Sequence, residues 1–248
     1  MKPLRTVVII QARMGSSRLP GKVLKEIGGK AMLERTIERV KRSTLITEVA
    51  VATSTQPKDD PIEEFCKHLG VPCVRGSESD VLDRYVKAAK KLRADIIVRV
   101  TSDCPLFDAE ILDKLITAFT KKKADYASNF LKRRYPRGLD CEIFTKAALE
   151  EADAKAKRHY EREHVTPYIF EHPKLFTHTS IVCSDDLSYH RWTVDTEKDL
   201  RMVRTVYEKL GAEGNFGWQD ILALLKKEPA IAKINKSVPQ KNFRAAKA

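Results

Sequence analysis

Residues 9–24 read IIQARMGSSRLPGKVL. The apolar residues Val7, Val8, Ile9 and Ile10 read as a buried strand, and Gln11 and Ala12 stand where it gives way to a loop. That loop contains Gly15, Ser16, Ser17, Pro20 and Gly21, and it carries Arg13, Arg18 and Lys22 but no acid. Small residues let backbone N–H groups approach a ligand, serine hydroxyls add donors, and guanidinium groups grip phosphate in bidentate fashion. A strand that ends this way suits a polyanion, best of all a nucleoside triphosphate. The spacing differs from G-x-x-x-x-G-K-[ST], because five residues separate Gly15 from Gly21 and Val23 follows Lys22. No G-x-G-x-x-G is present either.

Outward from this strand, the periodicity alternates. Met32, Leu33, Ile37 and Val40 share one face of a helix predicted over 30–42, and EVAVAT at 48–53 reads as a second strand. Pro61, preceded by Asp59 and Asp60, starts a helix that Gly70 ends. Strands are predicted at 71–75 and 94–100, with helices at 79–92 and 108–122. This order predicts an α/β fold whose largely parallel sheet is covered on both faces. Its ligand is expected at the carboxyl ends of the strands. Near residue 124 the pattern changes to short strands and a loop through 144. Beyond that, 145–171 reads as helix, 174–183 and 189–194 as strands, and 196–211 and 217–227 as helices. The chain is expected to be a single domain over 1–228 followed by a ragged, basic tail over 229–248.

The chain has 248 residues, 42% of them hydrophobic, enough for a substantial core. No apolar run is long enough to span a bilayer, and the short apolar start reads as a strand rather than a signal peptide. Five cysteines, an odd number with no C-x-x-C pair, argue against a zinc site or disulfide framework and fit a reducing cytoplasm. The net charge is +12, and half of it lies in 226–248, where seven basic residues face one acid. A diffuse basic tail of this kind argues for a solvated segment rather than a nucleic-acid surface. The remaining charge suits an anionic substrate.

TSDCPL at 101–106 follows the strand IIVRV and places Ser102 and Asp103 at its carboxyl end, and VDT at 194–196 does the same for Asp195. Two carboxylates beside a cationic phosphate loop make a Mg²⁺–triphosphate site, since magnesium takes a few carboxylates plus phosphate oxygens and water. Asp199 is a second-rank ligand. In RGSESDVLDRY at 75–85, Arg75 ends a strand and Asp80 can cap the next helix. RRYPRGLDCEIF at 133–144 offers Asp140 and Glu142 on one side of a strand, and YEREHVTPYIF at 160–170 offers Arg162, Glu163 and His164. Both segments are candidates for lining a polar acceptor pocket, and both are candidates for an oligomer contact.

QARMGSSRLPGKVL, RGSESDVLDRY, VRVTSDCPL, REHVTPYI and WTVDTEKDL together resemble the cytidylyltransferase family, which includes the CMP-Kdo and acylneuraminate synthetases, and within it the spore-coat polysaccharide (SpsF) branch. The resemblance runs from about residue 5 to residue 211. It implies a three-layer α/β/α, Rossmann-like nucleotide-diphosphosugar transferase fold. It also implies transfer of CMP from CTP to a sugar hydroxyl with release of pyrophosphate, and a homodimer. By motif position Arg13, Ser16, Arg18 and Lys22 would hold the triphosphate, and Asp103 and Asp195 would hold Mg²⁺. Cys104 stands where CMP-Kdo synthetases carry an acid, and Asp195-Thr196-Glu197-Lys198-Asp199 departs from their Asp-Thr-Pro-Glu-Asp. The aspartates are kept, so these departures bear on the sugar and not on the metal. Residues alone leave the base open. A glycosyltransferase of similar fold is an alternative, although Ser102-Asp103-Cys104 gives one aspartate where D-x-D gives two. A basic nucleic-acid-binding protein is another; it would account for the tail but not for the strand-end acids.

Overall fold

A computed structural model describes residues 4–240. In chain order the elements are β1 (Thr6–Gln11), β2 (Glu26–Ile27), β3 (Lys30–Ala31), α1 (Met32–Val40), β4 (Glu48–Ser54), α2 (Asp60–His68), β5 (Cys73–Gly76), α3 (Val81–Lys91), β6 (Ile96–Thr101) and α4 (Ala109–Lys122). There follow β7 (Tyr126–Ser128), β8 (Glu142–Thr145), α5 (Lys146–Lys155), α6 (His159–His164), α7 (Pro167–Glu171), β9 (His178–Ser180), α8 (Glu197–Leu210), α9 (Trp218–Lys227) and α10 (Pro229–Lys233). Seven strands form one sheet in the order β5-β4-β1-β6-β8-β7-β9. The β5-β4-β1-β6 half is parallel throughout, whereas β8 runs antiparallel to both β6 and β7.

Strand β1 shows why the sequence gives this arrangement. Its residues alternate between the two faces of the sheet. Val8 and Ile10 join a core with Met32, Leu33, Ile37 and Val40 of α1 and with apolar residues of α2, α4, α8 and α9. Val7 and Ile9 join a second core built with α3 and α5. All four are fully buried, and each such side chain stabilises the fold by about 1.5–3 kcal/mol. A strand apolar on both sides must lie in the middle layer, so the fold is helices, sheet, helices.

Differences from the sequence reading have local causes. The stretch 145–171 is three helices rather than one, broken around residues 156–158 and again where Val165 takes a φ of 72° just ahead of Pro167. The expected strand at 174–183 shrinks to His178–Ser180. The expected strand at 189–194 is an irregular segment with a single bridge, Arg137 to Arg191, and the Arg191 side chain is engaged with Asp195 and Asp199. Residues 26–31 form an unexpected hairpin, β2–β3, that turns at Gly28 and Gly29, both with positive φ. Part of the expected tail is packed structure: α10 lies against α8 and α9, Ile231 enters the core and Asn235 is buried. Residues 241–248 lie outside the described residues. All five cysteines are free thiols, and no helix among the described residues is long and apolar enough to cross a membrane.

Candidate active site

The loop after β1 takes its shape from its own backbone and from one buried acid. Met14 N–H donates to Asp59 Oδ1 at 2.7 Å, and Gly21 N–H returns to Met14 O at 3.0 Å. Gly21 adopts φ 66°, a left-handed turn open to glycine, and so starts the one-turn 3-10 helix Lys22–Leu24. This turn carries Lys22 inward to a position where it is 9% exposed. Its Nζ donates to Asp103 Oδ2 at 2.9 Å, to Asp195 Oδ1 at 3.0 Å and to the Val194 carbonyl at 2.7 Å.

The two aspartates are fixed independently of Lys22. Thr101 Oγ1 donates to Asp103 Oδ1 at 2.6 Å, and Val194 N–H donates to Asp103 O at 2.8 Å, which joins the two distant segments through backbone. Thr36 of α1 bonds the Ser102 carbonyl, and Tyr207 of α8 bonds the Pro105 carbonyl, so helices on one face hold the Asp103 loop. Asp195 Oδ2 receives Arg18 at 2.9 Å and Arg191 at 2.7 Å. Arg191 Nε also reaches Asp199 Oδ1 at 2.9 Å. Asp199 is fully buried and forms a capping box with Thr196, so it is a structural residue rather than a metal ligand.

Burial alone would lower the pKa of the Lys22 ammonium. The charges of Asp103 and Asp195 and their hydrogen bonds outweigh it, so the amine is held protonated and its pKa lies above the ordinary value. Burial pushes the Asp195 carboxyl up, but Lys22, Arg18 and Arg191 override it and hold its pKa below the usual range. Burial, then the charge of Asp103, drives the neighbouring Cys104 thiol far above its ordinary pKa, so it stays an inert thiol. Among the described residues no three His, Cys, Asp or Glu side chains cluster as a metal cage. Two carboxylates converging on one cation do, however, match the sparse protein donor set of magnesium beside phosphate.

These groups open into a cavity of about 380 Å³. Of the residues expected from sequence, Gln11, Ala12, Arg13, Gly15, Ser16, Arg18, Lys22, Ser102, Asp103, Asp195, Glu163 and His164 line it. The others lie elsewhere, each with a structural partner. Arg75 bonds the Ser54 and Gln56 carbonyls and pairs with Asp60 and Glu63. Asp80 caps α3 and pairs with Arg162, which also holds Asp153. Asp140 takes both guanidinium nitrogens of Arg133. Glu142, 1% exposed, accepts from Arg99 at 2.5 Å, from Tyr126 at 2.7 Å and from Thr166. Arg99 in turn reaches Gln11 Oε1 at 3.1 Å, so Glu142 acts on the cavity wall from behind.

Arg84 also lines the cavity, although it is not among the site residues expected from sequence. It lies on α3, 2% exposed, with its Nε buried and unpartnered and no carboxylate paired to it among the described residues. Burial, with the charge of Arg13 added to it, lowers the guanidinium pKa. Gly76 makes room for it, because a Cβ there would lie 3.3 Å from the Arg84 Cβ and Cγ. In sequence, Arg84 shares one side of the helix with Asp80 and Asp83, a spacing that suits a surface ion pair as well as a ligand contact.

Residues 7–213 match the cytidylyltransferase family. An uncharacterized protein of Methanocaldococcus jannaschii is 40% identical over 243 residues, covering 97% of this chain and 98% of that protein. The spore coat polysaccharide biosynthesis protein SpsF of Bacillus subtilis is 33% identical over 231 residues, 90% of this chain and 95% of SpsF. The solved structure of a cytidylyltransferase from Leptospira borgpetersenii superposes with a TM-score of 0.88 at 36% identity, covering 97% of this chain and all of that one.

Proposed function

Because the chain belongs to the cytidylyltransferase family, we propose that it transfers CMP from CTP to a hydroxyl of an acidic or modified sugar, releasing pyrophosphate, in surface-polysaccharide biosynthesis. The observation that carries this reading is Lys22. A phosphate-loop lysine is held charged between two strand-end aspartates at the floor of a cavity large enough for a nucleotide. In the reaction the sugar oxygen bonds to the α-phosphorus as the bond to the β-phosphate oxygen breaks. Charge builds on the leaving pyrophosphate, and fixed cations lower the barrier most where charge develops.

Arg18 and Lys22 meet the leaving phosphates, and Arg13 and Arg84 hold the remainder of the nucleotide. Backbone N–H groups and Ser16 of the loop complete the cradle. Glu163 and His164, from α6, face the acceptor. Asp103 and Asp195 would hold Mg²⁺, which supplies charge neutralisation at the phosphate oxygens. A homodimer working in the cytoplasm completes the reading.

The test is pyrophosphate release with Mg²⁺ and each of the four nucleoside triphosphates against a panel of acidic and neutral sugars. Release that requires both CTP and a sugar is the expected result. Absence of release with every pair, together with tight binding of a nucleoside diphosphate sugar, would replace this reading with a glycosyltransferase.

A further inference from the structure

The segment that follows α10 touches the site at several points. Asn235, 2% exposed, donates through Nδ2 to the Arg191 carbonyl and to Asp199 Oδ1, both at 2.9 Å. Gln240 Oε1 accepts from the Arg191 guanidinium at 2.5 Å. The Pro239 carbonyl lies 3.4 Å from an Arg18 nitrogen, and Ser237 Oγ lies 3.1 Å from Lys198 Nζ. The segment is anchored at its start, where Ile231 is buried in the core and α10 packs on α8 and α9.

We propose that residues 234–240 are a strap that sets the active-site geometry, with Asn235 as its positioning residue. The inference rests on the nucleotidyltransferase reading for what the geometry serves. Arg191 and Arg18 both hold Asp195 Oδ2, and the strap contacts both arginines. Arg191 has its Nε on Asp199 and one terminal nitrogen on Asp195. The strap accepts from its other terminal nitrogen and donates to its carbonyl, which fixes the guanidinium plane. Removing Asn235 leaves a buried carbonyl and a buried carboxylate oxygen each short of a donor, and such groups recover partners by moving. Movement of Arg191 is transmitted to Asp195, and from there to Lys22.

Two variants test this: Asn235→Ala, and a chain ending at Ile234. Each is compared with the intact protein by calorimetric titration with CTP in Mg²⁺ and by the Arg191 Nε–H signal in NMR spectra of the ligand-free protein. Asn235→Ala is expected to weaken CTP binding by about 10-fold, the usual scale for a hydrogen bond to a charged group. It should also shift or broaden the Arg191 Nε–H signal while leaving far-UV circular dichroism unchanged. The shortened chain should lose more. An Arg191 signal identical to that of the intact protein, or CTP affinity within two-fold of it in both variants, would overturn the strap. If the intact protein itself fails to bind CTP, the nucleotide reading falls, and the Arg191 signal still decides on the strap.

Discussion

Lys22→Met keeps the length of the side chain and removes its charge. Asp103 and Asp195 then face each other across the space the ammonium occupied, with oxygens no more than about 6 Å apart. At an effective dielectric of about 20, two unit charges at ~5.5 Å repel by about 3 kcal/mol. Arg18 and Arg191 still screen Asp195, while the loss of hydrogen bonds to two part-buried carboxylates adds to the cost. The net expectation is a destabilisation of about 2–4 kcal/mol, which for a chain of this size lowers Tm by about 5–12 °C. The second part of the prediction is more specific: a divalent cation can offset the exposed pair, so Mg²⁺ should raise the Tm of the variant by several degrees more than that of the parent protein. Thermal scans of both proteins, with Mg²⁺ and with chelator, measure this difference. An unchanged Tm in chelator, or an equal Mg²⁺ response in the two proteins, would refute the account of Lys22 as the counter-charge of the aspartate pair.

Arg84→Met should weaken CTP binding by about 10- to 100-fold, the scale of charge-assisted hydrogen bonds. It should leave Tm unchanged or higher, because a buried cation without an ion-pair partner is removed; calorimetry and thermal scans check the two halves. Gly138→Ala places a Cβ 2.6 Å from the Trp192 carbonyl carbon at φ 104°. Overpacking and backbone strain together should cost at least ~2 kcal/mol, read as a lowered urea midpoint. The pH dependence of stability has separate windows. Burial holds the His190 imidazole pKa below 6.5, so the unfolded chain takes up the proton first and stability falls as pH drops below 6.5 towards the folded value. Asp195, held below 3.8, contributes above that pH and loses its contribution as pH falls through its folded value. Lys22, held above 10.5, contributes fully below that pH and loses its contribution as pH rises through its folded value. Urea midpoints across pH should show these limbs, and His190→Gln should flatten the one just below 6.5.

The parallel half of the fold was readable because Val7–Ile10 of strand β1 are apolar on both faces and amphipathic helices flank the strand. Period and burial agree there. The place of the loop after β1 at the cavity was readable for a different reason: three cations without an acid beside a strand have no role in a core. What sequence could not show was pairing. Asp140, Glu142, Arg162, Arg75 and Asp80 have the residue types of a substrate pocket, and the fold spends each on an ion pair or a cap. Arg84 is the inverse case: a helix-face arginine by spacing, it is folded inward past Gly76 and left without a carboxylate. The segment after residue 229 lacks the periodicity of an amphipathic element. It is anchored by Ile231 and beyond that held through Asn235 and main-chain carbonyls, contacts that carry no pattern in sequence.

The distribution of partners divides the cavity into two electrostatic regions. Lys22, Arg18 and Arg191 are matched by Asp103, Asp195 and Asp199 in one connected network, which is close to neutral and therefore rigid without ligand. Arg84 is buried on the same cavity, forms no ion pair among the described residues, and has the charge of Arg13 near enough to lower its pKa. A buried cation without an ion-pair partner costs the fold, and on the proposed reading an anionic substrate supplies the missing charge. On that reading the neutral network acts on the leaving group without prior rearrangement. On the proposed reading affinity is generated at the arginines and reactivity at the lysine, so Arg84→Met is expected to weaken binding without loss of stability and Lys22→Met to lower both stability and turnover.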